Sequence, residues 1–244
     1  MATVADAGVV VSQSESRMLR IAAVCGAAGQ FGFVMLWFIW GFIESDYSVA
    51  RQDISDFGAL DASHPLPYNV VLSITGLLTI VLALGLYRRL RPGVDALAAS
   101  VAVAVFGVGD FLDGILREDC SPSGNAACRA ASKAGDLSWH HTAHDLESLV
   151  TILSITIAPM LLGVAFRRRP EWADLAPWSF VTAVWVFVLA ASYAVIFAAN
   201  DGSAVSGLIE RAATLGVLLF AVVSWRLWQV ADRRSSPSAA SAIR

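Results

Sequence analysis

The apolar positions of this chain neither alternate nor form narrow stripes. They come in six nearly unbroken runs, near 21–43, 67–87, 94–116, 143–166, 177–198 and 208–230. A hydrocarbon core takes about 20 helical residues to cross, and each run is long enough. A helix on the surface of a soluble domain keeps a polar face toward water, and the stretches 74–86 and 181–191 keep almost none. The pattern predicts an all-α integral membrane bundle of six transmembrane helices. It forms one domain over 17–234, with mobile tails over 1–16 and 235–244.

Charge then orients the bundle. Only 15% of the 244 residues are charged and 57% are hydrophobic, whereas soluble domains carry about a quarter charged residues. Twelve of the 17 basic residues fall on one side if every run crosses: Arg17, Arg20, Arg88, Arg89, Arg91, Arg167, Arg168, Arg169, Arg226, Arg233, Arg234 and Arg244. The positive-inside bias places that side, and both termini, in the cytoplasm. The loops after the first, third and fifth helices then face outward, from a cytoplasmic (inner) membrane. The first run is too long for a signal-peptide core. The basic face suits an anionic lipid leaflet rather than nucleic acid. Membrane lipids and a small-molecule or lipid substrate are the expected partners, and the sequence leaves the oligomeric state open.

Cys120 and Cys128 lie in the second outward loop with Pro122 and Gly124 between them. An oxidising exterior favours a bridge there, adding about 2–3 kcal/mol by restricting the open chain. Cys25, alone in the first helix, reads as a small core residue.

The chemistry concentrates in Trp139-His140-His141-Thr142-Ala143-His144-Asp145-Leu146-Glu147, which opens the fourth run. Ionisable groups at a helix mouth in a membrane are costly and mark interiors, wet cavities and function. His140, His144, Glu147, Thr151 and Ser154 recur at helical spacing, with His141, Asp145 and Ser148 alongside. The third helix ends with Asp110 and Asp113, one turn apart and at matching depth. Asn69, Tyr193, Asn200, Glu210 and Arg211 fall near the same level, while Arg117-Glu118-Asp119 reads as a solvated helix end.

Three readings compete for this outward-facing pocket. In the first, His140, His144 and Asp110 or Asp113 ligate a Zn²⁺-like ion with one position open. Glu147 and Asp113 then serve as catalytic carboxylates in a metal-assisted enzyme acting on a lipid or amphiphile. In the second, the same groups carry protons or a cation in a coupled transporter or ligand-binding protein. In the third, Asp–His and Glu–Arg pairs merely tie the helix mouths together. Of the two functional readings, the first is preferred.

The segment Asp53-Ile54-Ser55-Asp56-Phe57-Gly58-Ala59, followed by Pro67-Tyr68-Asn69 and Ser73-Ile74-Thr75-Gly76-Leu77-Leu78, resembles the signature of a prokaryotic membrane family. That family is known as domain of unknown function 998. The resemblance covers roughly 21–230 and implies about six helices, a Gly-rich third helix ending near an aspartate, and a histidine-containing start to the fourth. Here those features correspond to Ile54, Ser55, Gly58, Asn69, Asp110 or Asp113, and His140 with His144. It implies no activity. A looser likeness, in residue types alone, is to multi-pass hydrolases such as alkaline ceramidases. This chain lacks their second histidine pair on the last helix.

Overall fold

The computed structural model describes residues 13–200 and 205–233, all of whose regular elements are helical. The elements are α1 (Gln13–Ile43), α2 (Pro65–Leu90), α3 (Val94–Asp113), α4 (Ala126–Ala134), α5 (Trp139–Arg167), α6 (Ala176–Asn200), α7 (Ser206–Thr214) and α8 (Leu218–Arg233). Six stretches among the described residues are long and apolar enough to span a membrane, with α7 and α8 sharing the sixth. This is a multi-pass membrane protein.

Several bounds differ by a few residues from the sequence reading; α3 ends at Asp113 rather than near 116, and the sixth run divides into α7 and α8. Residues 13–16, expected in a tail, are the first turn of α1, while the rest of both tails lies outside the described residues. The histidine helix starts at Trp139 rather than near 143, because the Ser138 side chain caps it by accepting the His141 N–H.

Packing runs from α8 to α1, then α2, α3, α5 and α6, and α6 meets α7 to close the ring. Small residues allow the tightest contact. A Cβ built on Gly107 of α3 would stand 2.8 Å from the Gly76 carbonyl and 3.0 Å from the Ile80 nitrogen of α2. Only glycine permits this approach, the usual device where no water is available to drive helices together. Leu82, Leu86, Val103, Phe106, Leu162, Phe220 and Leu227 fill the interior. Trp178, Val181, Val184, Trp185 and Val188 of α6 point outward, where lipid is their natural solvent.

The two ends differ in charge. Arg20 at the start of α1 pairs with Asp232 at the end of α8 at 3.0 Å. At that same basic end Arg169 holds Asp95 at 2.7 Å and the carbonyls of Leu90 and Ala165. The other end carries the loop 44–64, the loop 114–138 and the candidate site.

Candidate functional site at the acidic end of the bundle

Two helices and one loop build the site. α3 delivers Asp110 and Asp113 in its last turn. α5 delivers His140, His141, His144 and Glu147 in its first turns. The Asp119 carboxylate fixes where α5 begins, accepting the Ser138 N–H at 2.6 Å and its hydroxyl at 2.8 Å. Burial works against that charge, yet the two bonds and the nearby His140 and His141 hold the Asp119 carboxyl below its usual range. α3 and α5 meet at Gly109, where an added Cβ would stand 2.9 Å from a Glu147 oxygen and closer still to the Thr151 hydroxyl.

His144 is the centre. Its Nδ1 lies 3.1 Å from Asp113 Oδ1 and 2.9 Å from the Leu116 carbonyl. Its Nε2 lies 3.8 Å from Glu118 Oε1 and 3.4 Å from the Ser148 hydroxyl. One donor atom each from Asp113, His144 and Glu147 fall within 4.8 Å of one another, close enough to share an ion. The Thr151 hydroxyl donates to Glu147 Oε1, while Glu147 Oε2 is buried without a protein partner.

Glu118 is the residue that sequence reasoning missed. Instead of lying at a solvated helix end it is only 5% exposed, held from behind by the Leu60 N–H on its own carbonyl at 2.9 Å. Its carboxyl joins His141 and Asp145 in a second three-donor group, again within 4.8 Å. Burial pushes the Glu118 carboxyl well above its usual range; a charged His144 opposes this, and Asp56, Asp113 and Asp53 add to it. His141 is used differently: its Nδ1 accepts the Asp119 N–H at 3.1 Å. The neutral ring must then carry its proton on Nε2, which is buried without a partner.

Other expected members lie elsewhere. His140, expected as a ligand beside His144, faces the rim, with Nδ1 2.7 Å from the Arg117 carbonyl and Nε2 3.5 Å from Asp119. It joins neither three-donor group among the described residues, because the first turn of α5 projects past the end of α3. Asp110 is 4% exposed but likewise joins neither; Asp113, one turn nearer the loop, takes the expected place. Asp145 is exposed and reaches only the second group. Asn69 ties its own helix to the first loop, donating to the Gly58 carbonyl at 2.9 Å. The Asn200 side chain lies outside the described residues.

Tyr193, Glu210 and Arg211 gather around the first loop rather than around His144. Tyr193 donates its hydroxyl to Asp53 Oδ2 at 2.7 Å, and Glu210 accepts the Ile54 N–H at 2.8 Å. Arg211 is 5% exposed and donates to the carbonyls of Val49, Gln52 and Gly207 and to the Tyr47 hydroxyl. Its guanidinium also lies over the rings of Tyr47, Phe57 and Trp37 at 5.5, 5.8 and 5.9 Å. Arg211 therefore clamps loop backbone, and its charge offsets the burial of Asp53 only in part. Burial, with the nearby Asp56 charge, pushes the Asp53 carboxyl up to about 7. Burial also raises Asp56, against the hydrogen bond from Ser123.

The second loop is covalently closed. Cys120 and Cys128 form a disulfide with their Cα atoms 5.9 Å apart, and Asn125 caps α4 inside that loop.

Fold and site together define a multi-pass membrane protein with a buried histidine–carboxylate cluster at one end of its bundle. Residues 27–236 match the profile of the family described as protein of unknown function (DUF998), and the chain belongs to that family. No curated protein and no solved structure matches it.

Proposed function

We propose that Asp113, His144 and Glu147 hold a divalent, zinc-class cation, and that the protein uses it as a metal-dependent membrane enzyme on the polar head of a lipid or amphiphile. The observation that carries this reading is the convergence of three donors on one point beside a buried carboxylate oxygen that no protein group satisfies. Two carboxylates and one neutral imidazole balance a divalent charge, and three protein ligands leave a position open, the pattern of catalytic zinc. Such an ion supplies Lewis-acid polarisation of a carbonyl or phosphoryl oxygen.

The chain's own groups divide the remaining work. Thr151 fixes one oxygen of Glu147, which leaves Oε2 to take or return a proton. Asp113 and the Leu116 carbonyl set the plane of the His144 ring, and Glu118 lies on the opposite ring edge. Cation uptake at His144 displaces a ring proton, so binding strengthens as pH rises. The segregated basic residues support an arrangement in which both termini are cytoplasmic and the site faces outward from the cytoplasmic membrane.

One observation favours a second reading, a proton- or cation-coupled transporter. Carboxylates face both ring nitrogens of His144, and His144 and Glu147 are only 4% and 9% exposed. Such a line of groups can pass a cation without admitting a substrate.

Metal analysis of protein purified without chelator separates these readings. Near-stoichiometric zinc that disappears in Asp113→Asn and His144→Ala, with turnover of an amphiphile lost in the same variants, supports the enzyme. Absence of metal, with proton flux in proteoliposomes that His144→Ala removes, overturns it in favour of transport.

A further inference from the structure

We infer that the cleft between the two acidic-end loops is a second cation site, for a partly hydrated hard divalent ion of the Ca²⁺ type. The cleft has a volume of about 160 Å³, and Glu44, Asp46, Asp56 and Asp61 line it with Tyr47 and Ser121. That volume accommodates an ion with several of its waters. Among the described residues, its lining contains no Lys, Arg or His. Two guanidinium groups nearby are bonded to other partners: Arg211 sits behind Tyr47, bonded to its hydroxyl and to loop carbonyls, and Arg129 donates to the carbonyls of Pro122 and Ser123.

The acids alone would not make a site; two orphaned oxygens do. Asp56 is 4% exposed. Its Oδ2 accepts the Asp53 N–H at 3.2 Å and the Ser123 hydroxyl, while its Oδ1 is buried with no protein partner. Glu44 repeats the arrangement: Oε1 accepts the Ser63 N–H at 2.5 Å and Oε2 is buried without a partner. A buried carboxylate oxygen left unsatisfied is costly, and two of them in one acid-lined cleft call for a cation. The lining offers oxygen donors rather than imidazole or thiolate, which selects calcium or magnesium over zinc. Among the described residues the three-donor groups within 4.8 Å are the two at α5. The cleft acids therefore cannot all bind one ion directly at about 2.3–2.6 Å, and retained waters must bridge the remainder.

The position gives the ion a task. The cleft joins the loop after α1 to the disulfide loop, where Asp61 already accepts the Ser121 N–H at 3.2 Å. The same loop pair holds the backbone of Glu118. An ion here staples both loops over the outer edge of the His144 cluster. The inference stands on the loop residues alone and survives or fails separately from the proposed function.

Tyr47 lines the cleft, so terbium luminescence sensitised by tyrosine reads occupancy in the full-length protein. The expected result is a saturable signal that Ca²⁺ competes away. Glu44→Gln and Asp61→Asn should each weaken it about tenfold, since affinity follows the charge count of the ligand set, with unchanged melting in chelator. His144→Ala should leave it intact. Four results overturn the proposal: no saturable signal in wild type, loss in His144→Ala, no loss in Glu44→Gln and Asp61→Asn, or displacement by choline but not by Ca²⁺.

Discussion

Glu118 Oε1 stands 3.8 Å from Nε2 of His144, on the ring edge opposite Asp113, whose Oδ1 is 3.1 Å from Nδ1. A loop residue and a helix residue thus bracket one imidazole. If that bracket positions a metal ligand, Glu118→Gln should weaken metal retention by about 10–100-fold, as loss of an outer partner of a ligand histidine does. Competition with a chromophoric chelator measures this. Retention equal to wild type would reduce Glu118 to a packing residue.

The raised Asp53 carboxyl predicts how stability depends on pH. Its folded value of about 7 exceeds the ordinary carboxylate value of about 3.9. Between those limits the folded state binds more protons, so stability falls as pH rises through the window and levels off above it. Asp56 shifts in the same direction. In chelator, wild type should melt higher at pH 5.5 than at pH 7.5, and Asp53→Asn should narrow the difference. A melting temperature that rises with pH in wild type would show that the loop carries its charge without penalty.

Reduction tests the covalent closure of the second loop. The bridge spans a sequence separation of 8, and releasing a loop of that size costs about 2–3 kcal/mol. Reductant should lower the thermal midpoint of wild type and leave Cys120→Ser/Cys128→Ser, already lowered, unchanged. Cys25 on α1 is a free thiol in both proteins, so an equal response of both to reductant would show that the Cys120–Cys128 bridge is not its source.

Gly109 predicts a steric effect with a defined rescue. An added methyl meets the Thr151 hydroxyl and a Glu147 oxygen, and overpacking of this kind costs about 1–3 kcal/mol. Gly109→Ala should melt earlier than wild type, and Thr151→Ala in the same chain should restore part of the loss. A neutral Gly109→Ala would mean that α3 and α5 separate more easily than their packing implies.

The sequence revealed the spans because lipid solvation leaves a one-dimensional mark: runs of about 20 apolar residues with basic residues segregated at their ends. It also revealed that α5 opens a polar stripe, since His144 and Glu147 recur at helical spacing. Partners set by chain folding left no such mark. Arg117-Glu118-Asp119 reads as solvated by composition, and only the loop after α1, bonded through Leu60, buries Glu118. Helical spacing pairs His140 with His144, yet α3 ends too early to meet His140. The expectation that Arg211 lines the pocket rested on its charge and level, whereas carbonyl oxygens and aromatic rings claim it. The Cys120–Cys128 bridge was legible because its short loop carries its own turn residues.

The central claim is that Asp113, His144 and Glu147 share one divalent ion. Anomalous X-ray scattering at the zinc edge, from crystals of the zinc-loaded protein, tests it most directly. The account predicts one strong peak within bonding distance of all three residues, absent in His144→Ala. A peak among Glu118, His141 and Asp145 instead, or none at full zinc loading, would contradict it.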